Sequence, residues 1–172
     1  MRSPGCFEIR SEVEEVVDLL CAGLFDGKAV MFCDAEESDI RALAVIRRMY
    51  EALNMRVTYM DSSSHDRHAA FVSHISHISS FVLANAVLEK EKSTNTIFNL
   101  ASGGFASTVR LAKSSPQMWS QIFEQNRDNL LEVMDTYIKH FQHWRELIET
   151  ENFEKLETAM SDANAIKRIL DK

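Results

Sequence analysis

Between Pro116 and about Thr150, mostly apolar side chains recur three and four residues apart, which is the spacing of one stripe along a helix. The members of this stripe are Trp119, Phe123, Asn126, Leu130, Val133, Tyr137, Phe141, Trp144 and Ile148. One helix over this range would be about 50 Å long, which is more than a small domain needs internally. We therefore predict a mainly α fold whose longest helix packs against a partner helix from another subunit.

The composition limits the classes of partner. With 172 residues, 45% of them hydrophobic, the chain can bury a core of one domain or a little more. A formal net charge of -7 argues against nucleic acid as a partner. The three cysteines contain no C-x-x-C pair, and no run approaches the roughly 20 apolar residues that span a bilayer. We expect a cytoplasmic protein without a membrane partner.

The region up to Asp61 predicts a small α/β domain, over residues 1–61. After a first helix within residues 12–25, the apolar run 29–34 is typical of a buried strand. Ser38 or Asp39 can cap a second helix, and residues 56–61 alternate like a second strand. Strand, helix and strand make one crossover unit of a parallel sheet. Because one unit cannot cover both faces of its strands, we expect further strands or a partner to protect it.

From residue 62 to residue 172 the pattern predicts helices alone, as a second domain. A long helix is expected from about His65 to Glu91, and a short one over residues 94–101, ended by two glycines. The long stripe described above follows, and a last helix is expected over residues 152–171.

The stretch from Ser102 to Trp119 carries the best candidate for ligand binding. Gly103 and Gly104 interrupt the preceding helix, and Ser115 with Pro116 begins the next one. Arg110 lies between them; its planar fork suits a carboxylate, and a Gly-Gly backbone lets a small anion approach closely. The residues alone leave open that the arginine caps carbonyls or pairs with a surface acid.

Four histidines fall within the segment HDRHAAFVSHISH. On one helix His74 and His77 share a face, whereas His65 and His68 point away from it. No cysteine or carboxylate motif completes a ligand set, so no metal site is predicted. We expect His68 at the surface, His74 buried and hydrogen-bonded, and His77 and His65 in a polar pocket. No G-x-G-x-x-G motif occurs, so no cofactor-binding residues are predicted in this chain.

Two stretches, HDRHAAFVSHISHISSFVLANAV and ASGGFASTVRLAKSSPQMWSQIFEQNRDNLLEVMD, closely resemble the C-terminal half of the prephenate dehydrogenase family. The segment before them is similar to the last strand, helix and strand of that family's nucleotide-binding domain. The resemblance covers about residues 23 to 172. It implies the end of a Rossmann-type domain that binds NAD or NADP, followed by an all-helical, intertwined dimerisation domain. It further implies oxidative decarboxylation of prephenate to 4-hydroxyphenylpyruvate in tyrosine biosynthesis.

The resemblance also implies roles for the candidate residues. Arg110 would hold the ring carboxylate of the substrate, and His77 would face its pyruvyl side chain. His65 would support the pocket, and the two glycines would line its floor. Trp119 would reach in from the neighbouring subunit of a homodimer formed through the long C-terminal helices.

The departures from the family pattern keep an alternative open. Ser107 stands where the family has an acid, and Ser76 replaces a proline. The family's catalytic histidine and its phosphate-binding loop precede the matching region, so we predict that this chain alone lacks the cofactor site and is inactive. The alternatives are a non-catalytic dimerisation or ligand-sensing module and, with less support, a metal-binding helical protein. The resemblance fits prephenate and arogenate, and NAD and NADP, equally well.

Overall fold

The computed structural model describes residues 23–94 and 97–170, which form two compact units. The first unit ends at His65 and the second begins at Asp66, whereas the sequence places the boundary after Asp61. The helix predicted over residues 12–25 lies largely outside the described residues.

The first unit consists of a strand, a helix and a strand, as predicted. Strands β1 (Ala29–Cys33) and β2 (Arg56–Met60) are parallel and in register from end to end. Helix α1 (Ile40–Ala52) connects them. It begins where the Asp39 carboxylate accepts two hydrogen bonds of 2.9 Å from backbone N–H groups of the first turn, which otherwise have no partner.

This first unit leaves much apolar surface uncovered. Phe32 is its one buried hydrophobic residue among those described, and its ring packs edge-on against Tyr50 and Tyr59. By contrast, Ile40 is 79% exposed and Val45 65% exposed. Tyr59 on β2 is also 49% exposed, which agrees with the expectation that a single crossover unit cannot cover both faces of its strands.

The second unit is helical throughout its described part, as predicted. Helix α2 (Ser62–Ala69), whose first turn belongs to the first unit, continues through a wide π-turn (Ala70–His74) into α3 (Ile75–Thr94). Short 3-10 turns occupy Ile97–Leu100, Arg110–Lys113 and Asn164–Ile166. The remaining helices are α4 (Gly103–Thr108), α5 (Pro116–Gln125), α6 (Arg127–Glu149), α7 (Phe153–Ala163) and α8 (Lys167–Leu170).

The prediction of one helix from Pro116 to Thr150 is wrong. Asn126 has φ −109° and ψ 31°, and it separates α5 from α6. The Asn126 side chain does not cap α6; it donates instead to the Asp66 carbonyl, 60 residues earlier, at 2.7 Å. The 23 residues of α6 span about 34 Å rather than 50 Å. The predicted last helix is also divided, by the 3-10 turn at Asn164–Ile166.

The core of the second unit lies where the π-turn packs against the start of α6. Its buried members are Ala70, Leu130 and Val133, with Ile75, Ile78, Phe123 and Met134 packed around them. A π-turn adds one residue to a helical turn and reorients the side chains that follow it. Here the π-turn lies within the histidine segment: it includes His74, and His77 follows it on α3.

The helical stretch Ser62–Ser93 is long and apolar enough to cross a membrane, judged by length and composition alone, with a mean hydropathy of 1.4. This differs from the expectation that no run approaches the required length. The core helix of a soluble protein can have the same length and apolar composition, because a helix that is buried on all sides is also apolar on all sides. Only 17% of its most apolar window is buried within this chain.

Candidate functional site

Trp119 lies at the centre of the ring cluster in the second unit. Helix α5 begins as predicted, with the Ser115 hydroxyl accepting a hydrogen bond of 3.4 Å from the Met118 backbone N–H and Pro116 in the first turn. This start places Trp119 one turn into the helix, where it is 8% exposed. The cap therefore fixes the position of the largest side chain in the site.

Two histidines of the same chain flank this tryptophan. The ring of His77 stacks on Trp119 with 3.5 Å between ring centroids and 26° between planes. The ring of His74 meets the tryptophan edge-on at 6.0 Å. The prediction that both histidines share a face is confirmed. The Trp119 indole is buried against its own chain, and the expectation that it reaches in from a neighbouring subunit stays a prediction.

His74 is buried, as predicted, and an asparagine that the sequence analysis did not single out is hydrogen-bonded to it. The Asn126 amide nitrogen donates to the Asp66 carbonyl at 2.7 Å and lies 3.2 Å from Nδ1 of His74. The Asn126 amide oxygen accepts from Asn129. Because an amide nitrogen only donates, Nδ1 of His74 must accept and its proton is on Nε2. The residue that divides the long helix also fixes this tautomer.

His77 is half-buried and makes a hydrogen bond to a second residue not found from the sequence. Its Nδ1 lies 3.1 Å from the hydroxyl oxygen of Ser114. Burial lowers the pKa of His77, and the neighbouring His74 and Arg110 lower it further, whereas a hydrogen bond with the Leu111 carbonyl opposes them. The neutral ring is therefore favoured.

Arg110 is exposed at the start of the 3-10 turn Arg110–Lys113. Two residues earlier, the Thr108 carbonyl accepts a 2.7 Å hydrogen bond from the buried hydroxyl of Ser80 on α3, which anchors this segment. Among the described residues, no carboxylate lies within 4.0 Å of the guanidinium, and no carbonyl accepts a hydrogen bond from it. A carbonyl cap or a surface ion pair thus has no support in the described part of the chain.

Gly103 and Gly104 form the first turn of α4 rather than the end of a preceding helix. Both are exposed, neither has a positive φ, and a Cβ built on either meets no atom within 4 Å. Glycine is among the weakest helix formers, yet nothing in the described chain requires it here. The free space above this backbone remains available to a ligand or to another chain.

The Trp119 indole N–H is buried without a hydrogen-bond partner in the described structure. Such a group costs about 1–3 kcal/mol when nothing accepts its hydrogen. An acceptor from outside the described chain would remove this cost. This unpaired donor is not visible in the amino-acid sequence, because it results from the packing of the indole.

The other two histidines of the segment, His65 and His68, differ in their exposure. His68 is exposed, as predicted. His65 is partly buried in the first unit, and its supporting role stays a prediction. Nowhere in the described ranges do three His, Cys, Asp or Glu side chains come together as a metal site would require.

The described residues do not fit the pyrophosphate of a dinucleotide. The turn between β1 and α1 carries the acidic residues Asp34, Glu36, Glu37 and Asp39. Their charges repel phosphate, and the carboxylate of Asp39 already occupies the N–H groups that a phosphate would use at the start of α1. No chemical step through NAD or NADP is therefore assigned to the residues of this turn.

The comparisons with known sequences agree on one family. A family model described as prephenate dehydrogenase, dimerization domain, matches residues 61–162. The chain is 27% identical to the prephenate dehydrogenase of Bacillus subtilis over 133 residues, 77% of this chain and 36% of that protein. It is 29% identical to the cyclohexadienyl dehydrogenase of Zymomonas mobilis over 132 residues, 76% of this chain and 45% of that protein. It thus spans less than half the length of either relative.

Solved structures give the same fold. Prephenate dehydrogenase from Aquifex aeolicus, in complex with hydroxyphenyl propionate and NAD+, superposes with a TM-score of 0.77 at 30% identity, over 87% of this chain and 52% of that one. Synechocystis arogenate dehydrogenase superposes with a TM-score of 0.71 at 23% identity, over 86% of this chain and 54% of that one. The second likeness shows a shared fold only.

The lowered pKa of His77 predicts how stability depends on pH. Below its ordinary pKa of 6.5, the unfolded chain binds a proton that the folded chain binds less readily. The free energy of unfolding should therefore fall as pH drops below 6.5 towards the folded-state pKa. Urea denaturation across this range should show the slope, His77→Asn should reduce it, and the exposed His68→Asn should leave it unchanged. An equal slope in all three proteins would contradict the assignment.

Proposed function

Because the chain belongs to the prephenate dehydrogenase family through that family's dimerization domain, we propose that it is the dimerisation and substrate-binding part of an NAD(P)-dependent prephenate or arogenate dehydrogenase of tyrosine biosynthesis. In the proposed overall reaction on prephenate, hydride leaves the ring carbon that bears the hydroxyl. The ring carboxylate departs as carbon dioxide, and 4-hydroxyphenylpyruvate remains. The chain's own contribution is to bind and orient the substrate.

The observation that carries this proposal is the unpaired guanidinium of Arg110 beside His77. A guanidinium holds a carboxylate through two parallel charge-assisted hydrogen bonds. Since no acid of the described chain occupies that fork, a carboxylate ligand meets no competitor. The absence of an acid at Ser107 is consistent with this open site.

Two further features support a ligand at this place. Gly103 and Gly104 leave space over the first turn of α4 that a side chain would fill. The buried indole N–H of Trp119 needs an acceptor. Ring carboxylate, ring hydroxyl and side-chain carboxylate of the proposed substrate are all acceptors. The proposed ligand site does not include His65, and the supporting role of this histidine is a separate proposal.

We further propose that the first unit is the end of a nucleotide-binding domain and that NAD or NADP binds to residues other than those described. The parallel pair β1–β2 with its crossover helix is the repeating unit of such a domain. Its exposed apolar side chains, such as Ile40 and Val45, suit additional strands and helices. The acidic turn after β1 is consistent with a cofactor site elsewhere.

The dimerisation proposal rests on the second half of α6. Leu130 and Val133, at the start of the apolar stripe, are themselves buried, and Leu147 is buried near the end of the helix. Between and beyond them, the stripe continues in side chains that are 36–68% exposed and that line an open groove of about 680 Å³: Tyr137, Phe141, Trp144 and Ile148. A matching stripe on a second copy would cover it, as the family's dimerization domain suggests.

The same proposal accounts for the apolar helix α3. Its Ser80 donates to the Thr108 carbonyl at the end of α4, and its His77 contacts Ser114 and Trp119 in the segment that follows. This polar network is unsuited to lipid contact. We therefore propose that a partner subunit, rather than a membrane, covers α3, in a cytoplasmic homodimer. A net charge of -7 supports the further expectation that no nucleic acid binds.

Titration of prephenate into the purified chain in a calorimeter tests the substrate site. We expect saturable binding that Arg110→Ala weakens about 10- to 100-fold, because it removes charge-assisted hydrogen bonds. Lys113→Ala, which removes a cation from the same turn, is the matched control and should retain most of the affinity. Equal losses in both variants would indicate general charge attraction. No binding to a folded dimer would leave dimerisation as the supported role.

Sedimentation of the wild-type chain and of Phe141→Glu tests the dimer. The variant places a carboxylate in the exposed apolar stripe, where burial against a second copy would desolvate it, so the dimer should dissociate. Lys139→Glu changes charge on the opposite face of the same helix and should remain dimeric. A wild-type monomer, or a dimer unaffected by Phe141→Glu, would refute this interface.

We expect the 172 residues alone to be inactive, because the acidic turn after β1 does not suit a dinucleotide and the proposed cofactor site lies outside the described residues. Purified chain mixed with prephenate and either NAD or NADP should show no increase in absorbance of the reduced cofactor. Turnover above that of a buffer control would contradict the proposal that this chain supplies the substrate site and another part of the enzyme supplies the cofactor site.

A further inference from the structure

The π-turn Ala70–His74 decides which face of the following helix meets the rest of the second unit. At its end the Ile75 N–H donates to the Ala70 carbonyl, five residues back, where an α-helix has a spacing of four. Ala70 and His74, at the two ends of the turn, are buried, whereas Val72 in its middle is 76% exposed. Because π-turns are rare in proteins, contacts from outside the helix are required to hold one in place.

The extra residue in this turn changes the direction of every later side chain. From position 66 to position 74 the chain advances eight residues. In an α-helix these would turn by about 800°, which is two full turns and about 80° more. With one residue taken up by the wide turn, the rotation is that of about seven residues, or about 20° short of two turns. The side chain of His74 therefore lies nearly in line with Asp66 along the helix.

The side-chain amide of Asn126 connects the residues on both sides of the turn. Its nitrogen donates at 2.7 Å to the Asp66 carbonyl, ahead of the turn, and lies 3.2 Å from Nδ1 of His74, the last residue of the turn. Its oxygen accepts from the Asn129 amide at 2.7 Å. Asn126 is 8% exposed, and both of its polar atoms are hydrogen-bonded within the protein. One amide nitrogen reaches both partners because the wide turn brings them into line.

The same rotation places the side chains that build the candidate site. His77 follows His74 by three residues and stacks on Trp119 with 3.5 Å between ring centroids. Ser80, three residues further on, is 4% exposed and donates to the Thr108 carbonyl at 2.7 Å. If the turn were α-helical, these side chains would be rotated by about 100° away from their present partners.

Apolar packing accounts for the start of the turn but not for its end. Ala70 belongs to the buried core cluster and lies ahead of the extra residue, so it would keep its place in either form of the turn. After the turn, Ile75 and Ile78 also pack against this cluster. Apolar contacts are non-directional, whereas a hydrogen bond needs a defined distance and angle. The contact at the end of the turn that is sensitive to direction is therefore the one with Asn126.

We infer that Asn126 is a positioning residue of the candidate site: by bridging Asp66 and His74, it holds the π-turn in the form that stacks His77 on Trp119. The inference concerns how the chain assembles its ring cluster, and it requires no ligand. It rests on the proposed function only where that cluster is treated as part of the substrate site.

Nuclear magnetic resonance of the histidine rings tests this role. In the wild-type chain, stacking on the indole should shift the His77 ring-proton signals upfield of those of the exposed His68, with both sets assigned through His77→Gln and His68→Gln. Asn126→Leu, which keeps a similar volume but removes the amide, should lose that shift. Asn129→Ala is the matched control, because Asn129 bonds to Asn126 rather than to the turn, and it should retain the shift.

Deletion of Val72 provides a rescue that a merely structural role would not show. With one residue fewer, a plain α-helix has the rotation that the π-turn now provides. The deletion should therefore keep the His77 shift when made in the wild-type chain and restore it when combined with Asn126→Leu. An amide that only filled space would not be replaced by a deletion elsewhere in the chain.

Three results would overturn the inference: a stacked His77 in Asn126→Leu, an unstacked His77 after deletion of Val72 alone, or a double variant whose His77 stays unstacked. If Asn126→Leu does not fold, the double variant should fold with a stacked His77. Failure of the double variant to fold would equally refute the role of Asn126.

Calorimetric titration of prephenate separates this inference from the proposed function. If the substrate site uses the ring cluster, Asn126→Leu should weaken binding about tenfold or more, and deletion of Val72 should restore the affinity. No binding to the folded wild-type chain would refute the substrate site, and the resonance result would still decide the role of Asn126. Unchanged binding in an Asn126→Leu chain that has lost the stacking would refute the use of the ring cluster by the ligand.

Discussion

The stacking of His77 on Trp119 is the contact on which the candidate site depends. It brings together α3, which carries His77, and α5, whose capped start positions the indole. With these two elements fixed, the turn between them can place only a few residues beside the ring pair, and Arg110 and Ser114 are among them. The site is thus organised by the packing of two aromatic rings, and its charged group is supplied by an exposed turn.

The polar groups around these rings are arranged in two hydrogen-bonded sets, one for each histidine. Asn126 directs an amide donor at His74, and the Ser114 hydroxyl lies 3.1 Å from Nδ1 of His77. Each set uses a side chain that also shapes the backbone: Asn126 divides α5 from α6, and Ser114 closes the 3-10 turn. The same two side chains therefore lie both at a helix boundary and beside a histidine ring.

Both compact units expose apolar surface that further secondary structure elements or another chain would cover. In the first unit a lone crossover helix leaves Ile40 and Val45 in solvent, and in the second the stripe of α6 runs past the core that buries Leu130. The hydrophobic effect disfavours such surfaces in proportion to their area. Additional strands for one unit and a second copy for the other are the partners proposed for these surfaces.

The sequence by itself determined the elements, since hydrophobic spacing, Asp39 and Ser115 as caps, and the shared face of His74 and His77 are local properties of the chain. It also indicated Arg110, because an arginine near paired glycines is visible as a pattern. Only the tertiary structure decided the break at Asn126, the burial of Trp119 in its own chain, and the part played by Ser114. Each of these depends on partners distant in sequence: Asp66 for Asn126, and His77 for Trp119 and Ser114. Periodicity records which face of a helix is apolar, and it contains no information about which hydrogen-bonding group will lie opposite.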